Sequence, residues 1–360
     1  MMLNFTRSVV AGTLIKALSF ALALGSFSSV AAAQADSNSP VSAEGIVGMS
    51  LSDTRFRGIT EDWSTPSLAK SNLKPTRPLM FADNTHPAYT VELLQMQWRP
   101  ADAIDLYVMT PKGVTKPPVI LYLFGYPTDT DMFKNEEFQS EVTRDGFAAV
   151  CFVSALTGQR YHTRPMKEWF LSELQESLGK SAHDVQMVLN YLASRGDVDM
   201  DRVGMFGQKS GGSIAILASA VDPRIKVLDV LDPWGDWPTW MAKSPFVPEE
   251  ERPNFVKPEF LEKAATLEPV DWLPKVQAKK FRFQDAVFEN NTPKSSKEKL
   301  RAAVPAGTKV VLYQTEKEFE AAFPNNSVNL AWMKHELNAL PKSSAVANAT
   351  SPAADGTKAK

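Results

Sequence analysis

An α/β fold with a mostly parallel, doubly wound sheet and helices on both faces is the architecture this sequence predicts. Three observations carry that expectation. Strand-like and helix-like segments alternate between Pro78 and Leu340, the pattern of a parallel sheet with crossover helices. Two strand-like runs, "PPVILYLFG" and "FAAVCFVS", are apolar without alternation, as in strands buried on both faces. Between them and the C-terminus, "DRVGMFG" leads through a glycine-containing turn directly into "GGSIAILASAV", a strand followed at once by a small-residue helix.

The elements follow in chain order. "YTVELLQMQW" and "AIDLYVMTP" read as consecutive strands, the second ending at Pro111, joined by the short polar turn "RPAD" that allows an antiparallel pair. After "PPVILYLFG", the segment "TDMFKNEEFQSEVTRDG" has helical spacing and closes on Gly146. "SAHDVQMVLNYLASRG" places Val185, Val188, Leu189 and Leu192 on one helical face. "IKVLDVLD", "KKFRFQDAVF" and "TKVVLYQTE" are further strands, and "KPEFLEKAATL" and "NNSVNLAWMKHELNAL" further helices. "TPKSSKEKLRAAV" is expected to be a helix with Thr292 as N-cap and Pro293 at its first position. Two connections, 155–178 and 233–258, exceed ordinary loop lengths and follow strand ends, where open α/β sheets carry their ligand sites.

The flanks read differently. Arg7 and Lys16 precede the apolar stretch "ALSFALALGSF" and the small residues "SSVAAAQAD", the composition of a secretory signal peptide over residues 1–35, cut after Ala33 or Ala35. The apolar run is shorter than the roughly 20 residues of a membrane span, so no span is expected after cleavage, and a secreted or periplasmic location follows. Residues 36–77 are expected to form an irregular arm, 78–340 the folded domain, and 341–360 a disordered tail rich in Ala, Ser, Pro and Lys. The formal net charge of −2 and the scattered basic residues give no footprint for nucleic acid. The single cysteine, Cys151, excludes an intramolecular disulfide. Four scattered histidines without metal-ligand spacing give no metal site, and no cofactor is indicated.

"SAHDVQMVLNYLASRGDVDMDRVGMFGQKSGGSIAILASAVDPRIKVLDVLDP" resembles the nucleophile elbow region of the α/β-hydrolase superfamily, in particular its dienelactone hydrolase, acetyl xylan esterase and prolyl-oligopeptidase-like branch. Weaker matches extend it over most of residues 78–340: "PPVILYLFGYP" for the oxyanion strand and loop, "LEPVDWLPKVQAKKFRFQDAVFENNTP" for the segment before the acid, and "KVVLYQT" for the strand before the histidine. The elbow motif is Gly-x-Ser-x-Gly. Laid on "GQKSGG", it puts Gly207 and Gly211 at the glycines, Gln208 and Ser210 at the variable positions, and Lys209 where the nucleophile stands. The resemblance implies Glu289 in "FENNTP" at the acid position and Lys317 in "LYQTEKEF" at the histidine position. It also implies that Tyr126 and Ser210 supply oxyanion-hole N–H groups, with Phe124 where many relatives carry a histidine.

Serine hydroxyls attack only after a base removes their proton, and losing the serine or the histidine costs on the order of 10⁶ in turnover. With Lys209, Glu289 and Lys317 in place of Ser, Asp and His, the sequence predicts a hydrolase fold that binds a ligand or partner without triad catalysis. Two alternatives stay open. One is an ester or peptide hydrolase using Ser210 with His162 or another base; the other is Schiff-base chemistry at Lys209. Lys209 and Lys317 beside Glu289 would form either a salt-bridged plug or a pocket suited to a carboxylate or phosphate. A small-molecule or peptide ligand is expected there. Trp234, Trp237 and Trp240 in "DPWGDWPTWM" either line that cleft or pack the second insertion onto the domain.

Overall fold

The computed structural model describes residues 56–100, 102–126, 131–155, 170–324 and 329–342. The expected signal peptide, the tail beyond residue 342, most of the first insertion, and His162 lie outside the described residues. One nine-stranded sheet has the order β1-β2-β3-β5-β4-β6-β7-β8-β9. Its strands are β1 (Leu79–Thr85), β2 (Tyr89–Arg99), β3 (Asp102–Pro111), β4 (Pro118–Leu123), β5 (Ala148–Phe152), β6 (Asp199–Gln208), β7 (Ile225–Leu231), β8 (Lys280–Ala286) and β9 (Lys309–Tyr313). The pairs β1–β2, β2–β3 and β3–β5 are antiparallel, and from β5 through β9 every pair is parallel.

The longer helices are α1 (Glu136–Thr143), α2 (Leu174–Arg195), α3 (Ser210–Val221), α4 (Trp237–Lys243), α5 (Pro258–Ala265), α6 (Lys294–Ala303), α7 (Glu316–Ala322) and α8 (Ala331–Asn338). The strand β4 shows why the sheet is covered twice. All six of its residues are buried, and its side chains alternate between two cores as the pleat requires. Val119, Leu121 and Leu123 join one core with Val188 of α2 and Ile214 of α3, whereas Ile120 and Tyr122 join another with Phe138 of α1 and Met333 of α8. The helix α3 is buried at eleven of its positions, which matches its lack of a polar stripe. None of the helices among the described residues is long and apolar enough to cross a membrane.

Several expected boundaries move. The helix read from Ser181 starts at Leu174, because Leu174 and Leu178 extend the same buried stripe into the insertion. Pro293 is the N-cap of α6 rather than its first residue, its ψ of 140° delaying the helix to Lys294, and the buried Thr292 hydroxyl caps nothing. The strand β1 and the helices α4 and α7 were not expected. The segment 56–77 is irregular apart from one turn at Leu68–Lys70, yet it is fastened to α2. Gln186 Nε2 donates to Pro66 O at 2.6 Å, and a Cβ on Gly179 would lie 2.6 Å from Trp63 O. The glycine inside α2 therefore has a physical reason: only a residue without a side chain lets the arm's backbone come so close.

Candidate functional site

The turn from β6 into α3 is shaped by close backbone contacts. A Cβ on Gly207 would sit 2.3 Å from Gly211 O, and one on Gly211 2.5 Å from Leu123 O. Both positions exclude side chains, which is why glycines flank the turn. Lys209 at its apex has φ 51° and ψ −121°, a conformation that costs a non-glycine residue about 1–3 kcal/mol. Its backbone is held from two sides: its N–H donates to Leu231 O at 2.9 Å, and its carbonyl accepts from Ser213 N at 3.1 Å. The loop after β4 closes over it so tightly that a Cβ on Gly125 would lie 2.8 Å from the lysine's Cβ.

The side chain of Lys209 ends in an ion pair, Nζ lying 2.9 Å from Glu289 Oε1. An ammonium at a helix N-terminus is opposed by the helix dipole, and the carboxylate offsets that. Asn291 Nδ2 donates to the same Glu289 oxygen. Beneath them lies a second acid, Asp232, which follows β7 with a φ of 49°. Its Oδ1 accepts from Lys297 Nζ at 2.7 Å, and that ammonium also donates to Ala286 O at 2.6 Å and lies 3.3 Å from Asp285 Oδ1. Asp285 is paired in turn with Arg301 of α6. Asp232 Oδ2 is buried and meets no N–H or O–H donor among the described residues. It borders the Glu289 carboxyl, and two carboxyl groups in contact are compatible only when one carries a proton. Burial pushes Asp232 up to about 8, against the charge of Lys297 and aided by Glu289. Burial also raises Glu289, but the hydrogen bond from Asp232 and the charges of Lys209 and Lys297 outweigh it and hold that carboxyl below its usual range. The pair therefore shares one proton, and Asp232 is the carboxyl whose affinity for it is raised.

A pH prediction follows, with its sign. A carboxyl raised in the fold contributes stability that is complete below its unfolded value of about 3.9 and lost as pH climbs through its folded value. For Asp232 that window runs from about pH 4 to about 8. Asp232→Asn keeps an acceptor for Lys297 and a donor for Glu289 but cannot ionise. Thermal unfolding of the variant, compared with wild type, should improve steadily as pH rises across that window. A difference that stays flat from pH 4 to 8 would show that Asp232 is not held protonated.

A cavity of about 440 Å³ opens above Lys209, within the size range of small-molecule sites. Its inner wall is Tyr122, Phe124, Phe206 and Leu231, with Lys209, Gln208, Asp232 and Glu289 at the floor; Phe288, Phe319 and Phe323 form the opposite side. Glu316 and Glu320, both exposed, complete it from α7.

The expected site residues fall into three groups. Lys209 and Glu289 meet directly. Tyr126 and Ser210 also meet, but the Tyr126 N–H donates to Ser210 Oγ at 2.8 Å, and Ser210 is 1 % exposed. Lys317 does not join them. It lies on α7, exposed, and the face of that helix turned to the cavity carries Glu316, Phe319, Glu320 and Phe323. Positions 316, 319, 320 and 323 share one side of a 3.6-residue helix and 317 does not, so the cavity's border is acidic where a second cation was expected. Trp234 and Trp237 are corrected as well. They are 0 % and 1 % exposed and belong to the core; the Trp234 ring lies 4.9 Å from that of Trp240, and Trp237 Nε1 donates to Leu267 O at 3.2 Å. They pack the insertion and line no cleft.

The remaining histidines are engaged elsewhere. His183 Nδ1 is 2.6 Å from Glu61 Oε1 and its Nε2 3.0 Å from Thr65 O; His86 stacks on Tyr89; His335 is exposed beside Glu336. Among the described residues no group of His, Cys, Asp or Glu is arranged to hold a metal ion. Sequence reasoning missed Asp232 and Lys297. Asp232 closes an apolar strand, at the carboxyl end where α/β sheets place their sites, and that position was the available signal. Lys297 sits in a lysine-rich helix and had none.

No protein-family model matches the chain. A curated relative, the Bacillus subtilis protein YtaP, which is named as a hydrolase, is 28% identical over 152 residues, 38% of this chain and 50% of that protein. The chain thus spans about half the length of the curated relative it matches. An acetyl xylan esterase from a Paenibacillus species superposes with a TM-score of 0.55 at 17% identity, covering 80% of this chain and 98% of the other. The S-formylglutathione hydrolase of Agrobacterium tumefaciens gives 0.53 at 16% identity over 72% and 99% of the two chains. Acetyl xylan esterase 1 of a Thermoanaerobacterium species gives 0.53 at 14% identity over 67% and 81%. Together with the sheet order and the elbow, these place the chain in the α/β-hydrolase fold. Acetyl xylan esterases, the branch the elbow resembles, are among the solved structures it superposes on.

Proposed function

We propose that this chain is a non-hydrolytic α/β-hydrolase-fold protein that binds a small ligand in the cavity over Lys209. One observation carries the reading: the apex of the elbow is an ammonium ion-paired to Glu289 at 2.9 Å. In this reading Lys209 and Glu289 occupy the nucleophile and acid positions, and the histidine position falls on α7, which turns Glu316 and Glu320 to the cavity. An alcohol without a base is a poor nucleophile, and the Ser210 hydroxyl is buried and already accepts the Tyr126 N–H. That same contact occupies a donor that an oxyanion would need. The aromatic cavity is retained, and binding is what such a cavity still does without a triad. The reading extends to residues 1–35 as a cleaved export signal and to a secreted or periplasmic location; N-terminal sequencing of the recovered protein, starting at Gln34 or Asp36, is the check.

The functional test is turnover of p-nitrophenyl acetate and of acetylated xylan by the full chain. The expected result is a rate indistinguishable from that of the Ser210→Ala variant. A wild-type rate that falls at least a hundredfold on that substitution would instead establish an active acyl esterase.

A further inference from the structure

The charges around the cavity identify the kind of molecule it accepts, given the reading above that the cavity is a ligand site. Among the described residues its lining carries one basic side chain, Lys209, and four carboxyl groups, Asp232, Glu289, Glu316 and Glu320. Lys209 and Glu289 neutralise one another, and Asp232 shares the proton of its pair with Glu289 and is held by Lys297. That leaves Glu316 and Glu320, one helical turn apart on α7, and neither forms an ion pair among the described residues. Among the described residues the cavity therefore presents two carboxylates, Glu316 and Glu320, without an ion-pair partner.

The walls point the same way. Tyr122 and Phe124 have ring centroids 4.6 Å apart, and Tyr122 and Phe206 4.7 Å apart. Across the opening, Phe319 lies 4.9 Å from Phe323 and 5.9 Å from Phe288. Aromatic faces carry negative potential and attract cations, more strongly where water is excluded. Acidic border and aromatic walls favour one ligand chemistry and disfavour a carboxylate or phosphate, which would meet Glu316 and Glu320 on entry.

We propose that the cavity between β4, β6 and α7 binds an organic cation, a protonated amine carried on an aromatic or branched apolar body. The half-buried aromatic side chains of Phe124, Phe288 and Phe319 enclose the body, and Glu316 and Glu320 attract the charge.

Three probes of equal shape separate this proposal from the reading it rests on: phenethylammonium, phenethyl alcohol and 3-phenylpropionate, titrated calorimetrically into the full chain at low salt. The expected order is ammonium at least tenfold tighter than alcohol, with the carboxylate weakest. The double variant Glu316→Gln/Glu320→Gln, at exposed positions that do not threaten folding, should bring ammonium and alcohol within threefold of each other. Equal binding of ammonium and alcohol by wild type, or tightest binding of the carboxylate, overturns the cation assignment while leaving the cavity as a ligand site. Binding of none of the three at millimolar concentration overturns both. An ammonium preference that survives the double variant also overturns the proposal, because the preference would then arise elsewhere.

Discussion

Replacing Lys297 by methionine is expected to lower the unfolding free energy by about 2–4 kcal/mol, because two buried oxygens, Asp232 Oδ1 and the Ala286 carbonyl, lose their donor at about 1–3 kcal/mol each. The side chain of Lys297 is 4 % exposed, and its ammonium serves Asp232, Asp285 and the Ala286 carbonyl together. Asp285 keeps Arg301 after the substitution, but Asp232 keeps only the Glu289 carboxyl. Floor and elbow are linked through that contact, so the loss should also displace Glu289 and loosen Lys209. Urea unfolding reads the effect as a lower midpoint at an unchanged slope. Adding Asp232→Leu to the methionine variant should recover a large part of the loss, since replacing both members of a buried pair with apolar groups is often nearly neutral. A single-variant cost below 1 kcal/mol would mean that the floor cluster holds nothing in place.

The second large effect is expected at Arg99, at the end of β2. Its guanidinium is buried and forms four close contacts: Nε and Nη2 to the two Glu61 oxygens and Nη1 to Asp184 Oδ1, each at 2.6 Å, with Asp102 at 3.4 Å. Asp184 also accepts from Trp98 Nε1 at 2.9 Å. Bidentate Arg–carboxylate pairs of this kind are the strong ones, and Arg99→Met should cost about 3–5 kcal/mol. Glu61 belongs to the segment 56–77, so the substitution should also release that segment, visible as hydrogen exchange there rising ahead of the sheet. Burial raises Glu61, yet the hydrogen bonds from Arg99 and His183 hold its carboxyl far below the usual range. Such a group contributes stability above its unfolded value of about 4.3 and loses it as pH falls. Wild type should therefore lose its advantage over Arg99→Met in acid. Unchanged exchange over residues 56–77 would count against the fastening.

Much of this architecture was legible in the sequence. Strands β4 and β5 announce themselves because they carry no charged or alternating polar position, and the elbow because a Cβ on Gly207 or Gly211 would lie within 2.3 or 2.5 Å of neighbouring backbone oxygens. The strand β1 was not legible: "LMFADNT" is an edge strand whose residues are exposed or half-exposed, with no buried face to give an alternation. The helix α7 was missed although its start is written in the chain. Thr315 Oγ1 accepts the Glu318 N–H at 3.2 Å, and Glu318 reaches back to the Gln314 N–H at 2.6 Å, a variant of the reciprocal capping spacing Thr-x-x-Glu. Taking that stretch as a loop set Lys317 at the site; as a helix it turns Glu316 and Glu320 inward, and the charge of the cavity changes sign. The tryptophans illustrate a different limit. Aromatic residues after a strand end suit a cleft and a core equally, and only the packing of Trp234, Trp237 and Trp240 decides between them.

The proposed loss of hydrolysis rests on the absence of an activated serine at the elbow among the described residues. Incubating the full chain with a fluorophosphonate and recording the intact mass tests it most directly. The expected result is an unshifted mass after hours of exposure, since the Ser210 hydroxyl is buried and has no base beside it among the described residues. A gain of one probe per chain, mapped to Ser210, would contradict it.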